Sequence, residues 1–441
     1  MIAEKESLTY KKIVIFWIPL AATWLMMAAE GPILAAVIAR LVEPKFNLAA
    51  FGVAFSFGVL IEAPIIMLMS ASTALVNNRD SYVKLRNFSL TLIVMCTLIM
   101  LVFIIPPIFY FIMQRLIGLP ANVARLTHQA CLVLIPWPGA IGYRRFYQGI
   151  LIRSDLTRRV AYGTMIRLTT MSATALTCYF FFPLNGATVG TLSLSLAVSA
   201  EALASRMMAH RSVKELMTDE EKERFRQKTL SYRYITKFYY PLALTSILGL
   251  GVHPMVTFFM GQSRMPIESL AVLPVINSLV FLFRSMGLSF QEVGIALMGE
   301  NNRNFTMLRN FALFLGITVV LALSLITYTP LSYIWFNKIS GLSLELTRFA
   351  RLPAQIVSLL PGLTVLISFQ RAILVKNEKT APITIATSIE VVAIFAILFV
   401  AIAVFNPIGA VAAAIAYISG RLFANIYLFR PCNKALVRRF K

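Results

Sequence analysis

Phe16-Trp17-Ile18-Pro19-Leu20-Ala21-Ala22-Thr23 returns in similar form as Phe238-Tyr239-Tyr240-Pro241-Leu242-Ala243-Leu244-Thr245, 222 residues further along. Outward from that stretch the correspondence continues. Leu85-Arg86-Asn87-Phe88 returns as Leu308-Arg309-Asn310-Phe311, Pro138-Gly139 as Pro361-Gly362, Thr157 as Thr380, and Gly186-Ala187 as Gly409-Ala410. Self-similarity at a fixed spacing is the mark of an internally duplicated fold. Membrane transporters are often built from such repeats, with the working site at the repeat interface.

Both copies are written in apolar spans. Of 441 residues, 58% are hydrophobic, and the mean hydropathy is +0.76. A bilayer core asks for about 20 apolar residues per helix. The pattern predicts an all-α membrane protein of twelve transmembrane helices, over 13–35, 48–76, 88–112, 125–151, 160–182, 187–209, 235–261, 268–298, 309–331, 346–375, 383–404 and 408–429. The first run has no clear small-residue cleavage site and reads as a retained helix. Six spans per repeat is an even number, so the repeats enter the membrane in the same orientation, as parallel repeats. The expected domains are 1–212 and 229–441, joined by a charged cytoplasmic connector over 213–228.

The net charge of +22 is explained by its distribution. With both termini cytoplasmic, the loops on that side hold roughly 27 Lys/Arg against about 7 outside, the positive-inside asymmetry. The connector mixes Arg211, Lys214, Lys222, Arg224, Arg226 and Lys228 with Asp219, Glu220, Glu221 and Glu223, as a helix on anionic headgroups does. Its single aromatic, Phe225, falls short of the series of interleaved aromatics in a nucleic-acid groove, so no nucleic-acid partner is expected. Cys96, Cys131 and Cys178 sit in apolar runs and Cys432 in the basic tail, with no metal or redox spacing. His128, His210 and His253 are scattered, and no P-loop is present. Neither an enzyme, a cofactor nor a metal site is indicated.

Prolines recur inside the spans at Pro19, Pro32, Pro64, Pro241, Pro254, Pro274 and Pro361. Each frees a backbone carbonyl and bends its helix. The pairing of Pro19 with Pro241 and of Pro32 with Pro254 makes the first helix of each repeat a bent one. Twelve helices in two parallel repeats with a proline-bent leading helix resemble the multidrug and toxic compound extrusion (MATE) family. Its superfamily includes multidrug, oligosaccharidyl-lipid and polysaccharide exporters. The run Tyr240-Pro241-Leu242-Ala243-Leu244 with Pro254 is more weakly similar to the progressive ankylosis (ANK) proteins. The resemblance implies V-shaped lobes around a central cavity and alternating access. It also implies a secondary transporter exporting a drug or an organic anion, with lipid-linked oligosaccharide flipping as the alternative.

Ionisable residues at bilayer depth carry the chemistry, because each costs at least about 2.5–3.5 kcal/mol unless paired or wet. Glu30 precedes Gly31-Pro32 where the first helix should break, a place where a carboxylate and freed carbonyls can bind a proton or sodium. The other reading puts Glu30 in headgroup water. Glu62 falls opposite Arg284 at an offset of 222, and Arg167 opposite Glu390 at 223. Two arrangements are open. Either Glu62 and Arg284 gate a cleft, or each lobe is neutralised internally, Glu62 by Arg167 and Arg284 by Glu390. Arg144, Arg145 and Arg371, with Tyr143, Tyr147, Gln148 and Gln370 nearby, either collect an anionic substrate or snorkel to headgroups. Gln291, Glu292 and His253 are weaker cavity-lining candidates. The reading is thus an ion-gradient-driven antiporter of the bacterial inner membrane, a monomer among lipid, coupled to H+ or Na+.

Overall fold

The computed structural model describes residues 8–154, 156–218, 230–377, 379 and 381–437. Among the described residues the secondary structure is helical, in twelve long segments. In the first repeat these are α1 (Tyr10–Ala28 continued by Glu30–Ile38), α2 (Pro44–Glu62 continued, past a 3-10 turn, by Leu68–Leu75), α3 (Arg79–Phe103), α4 (Ala121–Val133 and Trp137–Arg153), α5 (Thr157–Phe181) and α6 (Gly186–Met208). In the second they are α7 (Tyr232–Leu250 and Val252–Gly261), α8 (Pro266–Leu297), α9 (Phe305–Tyr328), α10 (Leu344–Ile356 and Leu360–Lys376), α11 (Ala381–Val400) and α12 (Gly409–Val437). Ten of them are long and apolar enough to cross a membrane. The remaining two, α4 and α5, are the expected fourth and fifth spans, and they are less apolar because they carry Arg144, Arg145, Arg153, Arg158, Arg159 and Arg167. Of the expected connector, residues 219–228 lie outside the described residues, and the rest ends the short helix His210–Thr218.

The duplication reaches the backbone. Glu43 (φ 50°) and Met265 (φ 55°) are both left-handed, each immediately before the proline that opens α2 or α8. Gly118 and Gly341 share a positive φ after a π-helical turn. Asn47 Oδ1 accepts from the Ala187 N–H at 3.0 Å, and Ser269 Oγ accepts from the Ala410 N–H at 3.1 Å, at equivalent places. Each leading helix is interrupted at the same position: α1 at Ala29 and α7 at Gly251. α2 and α8 differ. α2 breaks at Ala63–Ile65 around Pro64, whereas α8 runs unbroken for 32 residues through Pro274.

Helix ends moved where local chemistry overrode hydropathy. α3 begins at 79, not 88, because Asn78 and Ser81 form a reciprocal capping box at 2.9 Å. It stops before Pro106-Pro107, which cannot continue it.

Two compact units form. One is Ile33–Gln262; the other joins the chain up to Pro32 with the chain from Ser263 onward. They are not the two sequence repeats, because the leading helices are exchanged. In the split unit, Trp17 of α1 donates to Ser289 Oγ of α8 at 2.9 Å and meets Phe311 of α9 edge-on at 6.0 Å. Gly31 lets α1 touch α8, since a Cβ there would lie 3.0 Å from Ser278 Oγ. In the continuous unit, Tyr239 of α7 donates to the Pro64 carbonyl at 2.5 Å, and Thr257 Oγ1 donates to Ser56 Oγ at 3.2 Å. Ser56 and Ser278 are themselves equivalent positions. The same surface of α2 and α8 thus receives the opposite repeat's first helix.

Candidate functional site

Each unit contains one buried group of charges in its helices, assembled from helices that are far apart in sequence. In the continuous unit it is drawn from α2, α4, α5 and α6. Glu201 of α6 is the hub: Arg144 Nη1 donates to its Oε2, Gln148 Nε2 donates to its Oε1 at 3.0 Å, and Arg167 Nε lies 3.6 Å from Oε2. The Arg144 and Glu201 side chains are 4% and 1% exposed. Gly163 makes room for this hub, since a Cβ there would stand 3.4 Å from the glutamate's own atoms. Glu62, at the last residue before the break in α2, accepts the indole N–H of Trp137. Arg144, Arg145 and Arg167 all lie within electrostatic range of Glu62. Arg145 reaches Met69 Sδ at 3.7 Å, and its Nε is buried with no hydrogen-bond partner. Three arginines and two glutamates leave a formal net of plus one.

In the split unit the equivalent group is drawn from α8, α10, α11 and α12. Arg421 of α12 clamps Glu390 Oε1 with Nη2 at 2.7 Å and Nε at 2.9 Å. These two side chains are 11% and 14% exposed. Arg284 of α8 donates to Thr364 Oγ1 at 3.3 Å, and Arg371 of α10 donates to Thr387 Oγ1 at 3.3 Å. Arg421, Glu390, Tyr417 and Arg371 are the groups Arg284 feels electrostatically. Gln370 holds α10 to α12 through the Asn425 carbonyl at 3.0 Å.

The structure gathers Glu62, Arg144, Arg145 and Arg167 in one unit, and Arg284, Arg371 and Glu390 in the other. Glu62 meets Trp137, and Arg284 meets Thr364, each inside its own unit. Within each unit the arginines reach the following partners. Arg167 reaches Glu201, and the ion-pair partner of Glu390 is Arg421, while Arg284 turns to a threonine hydroxyl. Glu201 and Arg421 escaped the sequence reading because they have no opposite charge at an offset of 222 or 223. They correspond to each other only at 220, about one helical turn out of register. Applying to α6 and α12 the rule that singled out Glu62, that an intramembrane charge is functional by default, would have found both.

The remaining candidates are dispersed. Glu30 opens the second segment of α1 and is half-buried. Tyr147 is buried in the core of the continuous unit with Tyr82 and Phe146, beneath Arg206, whose guanidinium lies 5.2 Å from its ring. His253 is half-buried on α7, while Gln291 is half-buried and Glu292 exposed on α8. All four cysteines are buried. Cys432, assigned by sequence to the basic tail, lies inside α12 and donates to the Gln370 carbonyl at 3.4 Å.

No family model and no curated protein matches the chain. Solved structures do. An inward-facing multidrug resistance MATE family transporter of the MOP superfamily matches with a TM-score of 0.71 at 14% identity, covering 94% of each chain. A MOP superfamily transporter from Pyrococcus furiosus, described as having a binding pocket of reverse polarity, matches at 0.69 and 13% identity, covering 99% of this chain and 100% of its own. The lipid II flippase MurJ matches at 0.69 and 16% identity, covering 95% and 90%. The fold is therefore that of MATE-like transporters of the MOP superfamily, over essentially the full length. The similarity to the progressive ankylosis proteins gains nothing from these likenesses.

Proposed function

We propose that the chain is a secondary transporter that exports a small molecule across the bacterial inner membrane by alternating access, in antiport with H+ or Na+, with both termini cytoplasmic. The observation that carries this reading is a buried ionisable group in each unit of a MOP-type fold. A purely structural bundle would lower its energy by replacing such groups with apolar side chains of similar size. Their retention at membrane depth is the mark of an ion or substrate path. The prolines inside the leading helices point the same way, since each frees a backbone carbonyl that a coupling ion can use.

Glu30 is the proposed coupling carboxylate, placed directly after the interruption of α1 at Ala29. An organic anion is favoured as substrate over a cationic drug, because arginines outnumber glutamates in both buried groups. The test is gradient-driven uptake into inverted vesicles. Glu30→Gln should abolish uptake while leaving the melting temperature within a few degrees of wild type. Full uptake by this variant removes Glu30 from the coupling step.

A lipid-linked oligosaccharide flippase is the second reading, favoured by the likeness to MurJ. It predicts headgroup translocation in vesicles holding a lipid-linked sugar, without uptake of any water-soluble solute.

A further inference from the structure

We infer that the buried group formed by Arg284, Arg371 and Arg421 binds a doubly charged oxyanion, a dicarboxylate or a phosphate, as the recognised part of the substrate. This rests on the transporter reading and narrows its substrate class.

The charge balance is the first ground. Glu390 is the acid of this group, and Arg421 already occupies it with two donors on one oxygen. Among the described residues no carboxylate lies within ion-pair distance of Arg284 or Arg371. Three arginines and one glutamate leave a formal net of plus two inside a helical bundle of membrane length. Two such charges are costly there until an anion arrives.

The donor inventory is the second ground. A guanidinium carries five N–H donors. Arg284 and Arg371 each commit one of them, to a threonine hydroxyl at 3.3 Å. Arg371 Nε is buried with no hydrogen-bond partner. A planar fork with open donors matches two oxygens of a carboxylate or phosphate. The two threonines hold the forks in place, and Tyr417, on α12 within range of Arg284, adds a hydroxyl. The group is also built for access, because Arg421 and Glu390 retain exposures of 11% and 14% where Arg144 and Glu201 retain 4% and 1%.

A free dianion and an anionic lipid headgroup share this chemistry, and the experiment separates them. The full chain is melted in a neutral detergent with succinate, with inorganic phosphate, or with chloride at matched ionic strength. It is melted again in nanodiscs of phosphatidylcholine with and without phosphatidylglycerol. A ligand that binds the folded state raises apparent stability. The expected result is a rise with millimolar succinate or phosphate over chloride. That rise should be lost in Arg284→Gln and in Arg371→Gln, and half-saturation should be about tenfold weaker in Arg371→Lys, which keeps the charge but not the fork. Without ligand, Arg371→Gln should melt no lower than wild type, an outcome that a structural arginine could not give.

The inference is overturned if neither anion moves the wild-type transition, or if both glutamine variants respond as wild type does. A response confined to phosphatidylglycerol also overturns it, in favour of a singly charged lipid headgroup. Anion binding without uptake in vesicles would sink the transporter reading and leave the arginine group as an anion site with no part in transport. Uptake of a solute without anion binding would do the reverse.

Discussion

The two buried charge groups occupy equivalent helices of a duplicated chain, yet they are balanced in opposite ways. In the continuous unit one nearly inaccessible glutamate, Glu201, serves Arg144, Arg167 and Gln148 together. In the split unit the glutamate, Glu390, is partly exposed and committed to Arg421, while Arg284 and Arg371 rest on threonine hydroxyls. The helix that bears the second-helix charge differs too: α2 breaks just after Glu62, and α8 passes Arg284 without interruption. Duplication thus preserved the scaffold and inverted the sign at two positions, Glu62 against Arg284 and Arg167 against Glu390, while both groups stayed net positive. The first group gathers its donors on one nearly inaccessible carboxylate, although Arg144 Nε and Arg145 Nε find no acceptor, whereas the second leaves two arginines without a carboxylate and so shorter of counter-charge.

The largest effect that would sharpen this contrast comes from Glu201. Glu201→Gln leaves Arg144 and Arg167 buried without their counter-charge, and breaking such a pair typically costs about 3–5 kcal/mol. A large fall in melting temperature or in folded yield is expected, and wild-type stability would break the comparison. Glu390→Gln comes next. It removes a charged hydrogen bond from a partly wet pair, a loss of about 1.5–3 kcal/mol, further reduced by solvent. Its melting temperature should fall clearly less than that of Glu201→Gln. The smallest effect is Trp137→Phe, which strips Glu62 of its indole donor while keeping an aromatic body, at about 1–2 kcal/mol. That variant should retain the fold but alter transport if Glu62 takes part in it.

Much of the architecture was legible in the sequence, for one physical reason. A duplicated backbone repeats its demands, so prolines, glycines and capping residues recur in register even where side chains diverge. Pro44 and Pro266 follow paired left-handed residues, and Gly186 and Gly409 begin helices packed where a Cβ would collide. The exchange of α1 and α7 between units was not legible. Hydropathy and chain order say which residues make a helix, but Trp17 and Tyr239 find partners through packing across about 270 and 175 residues. The charge partners were half legible. Residues at a shared offset stood out, while Glu201 and Arg421, displaced by a turn, complete the two groups and were passed over. Arg284 with Glu390 looked like a pair by symmetry, and Arg421 took that place by geometry.

The most direct measurement compares two neutralised arginines side by side: the ligand-free apparent melting temperatures of Arg144→Gln and Arg371→Gln in the full chain. An arginine paired to a buried carboxylate in one unit and an arginine without one in the other predict opposite behaviour. Arg144→Gln should melt well below wild type, and Arg371→Gln at or above it. Equal falls in both variants would mean that the two groups are alike, and the contrast drawn between them would be wrong.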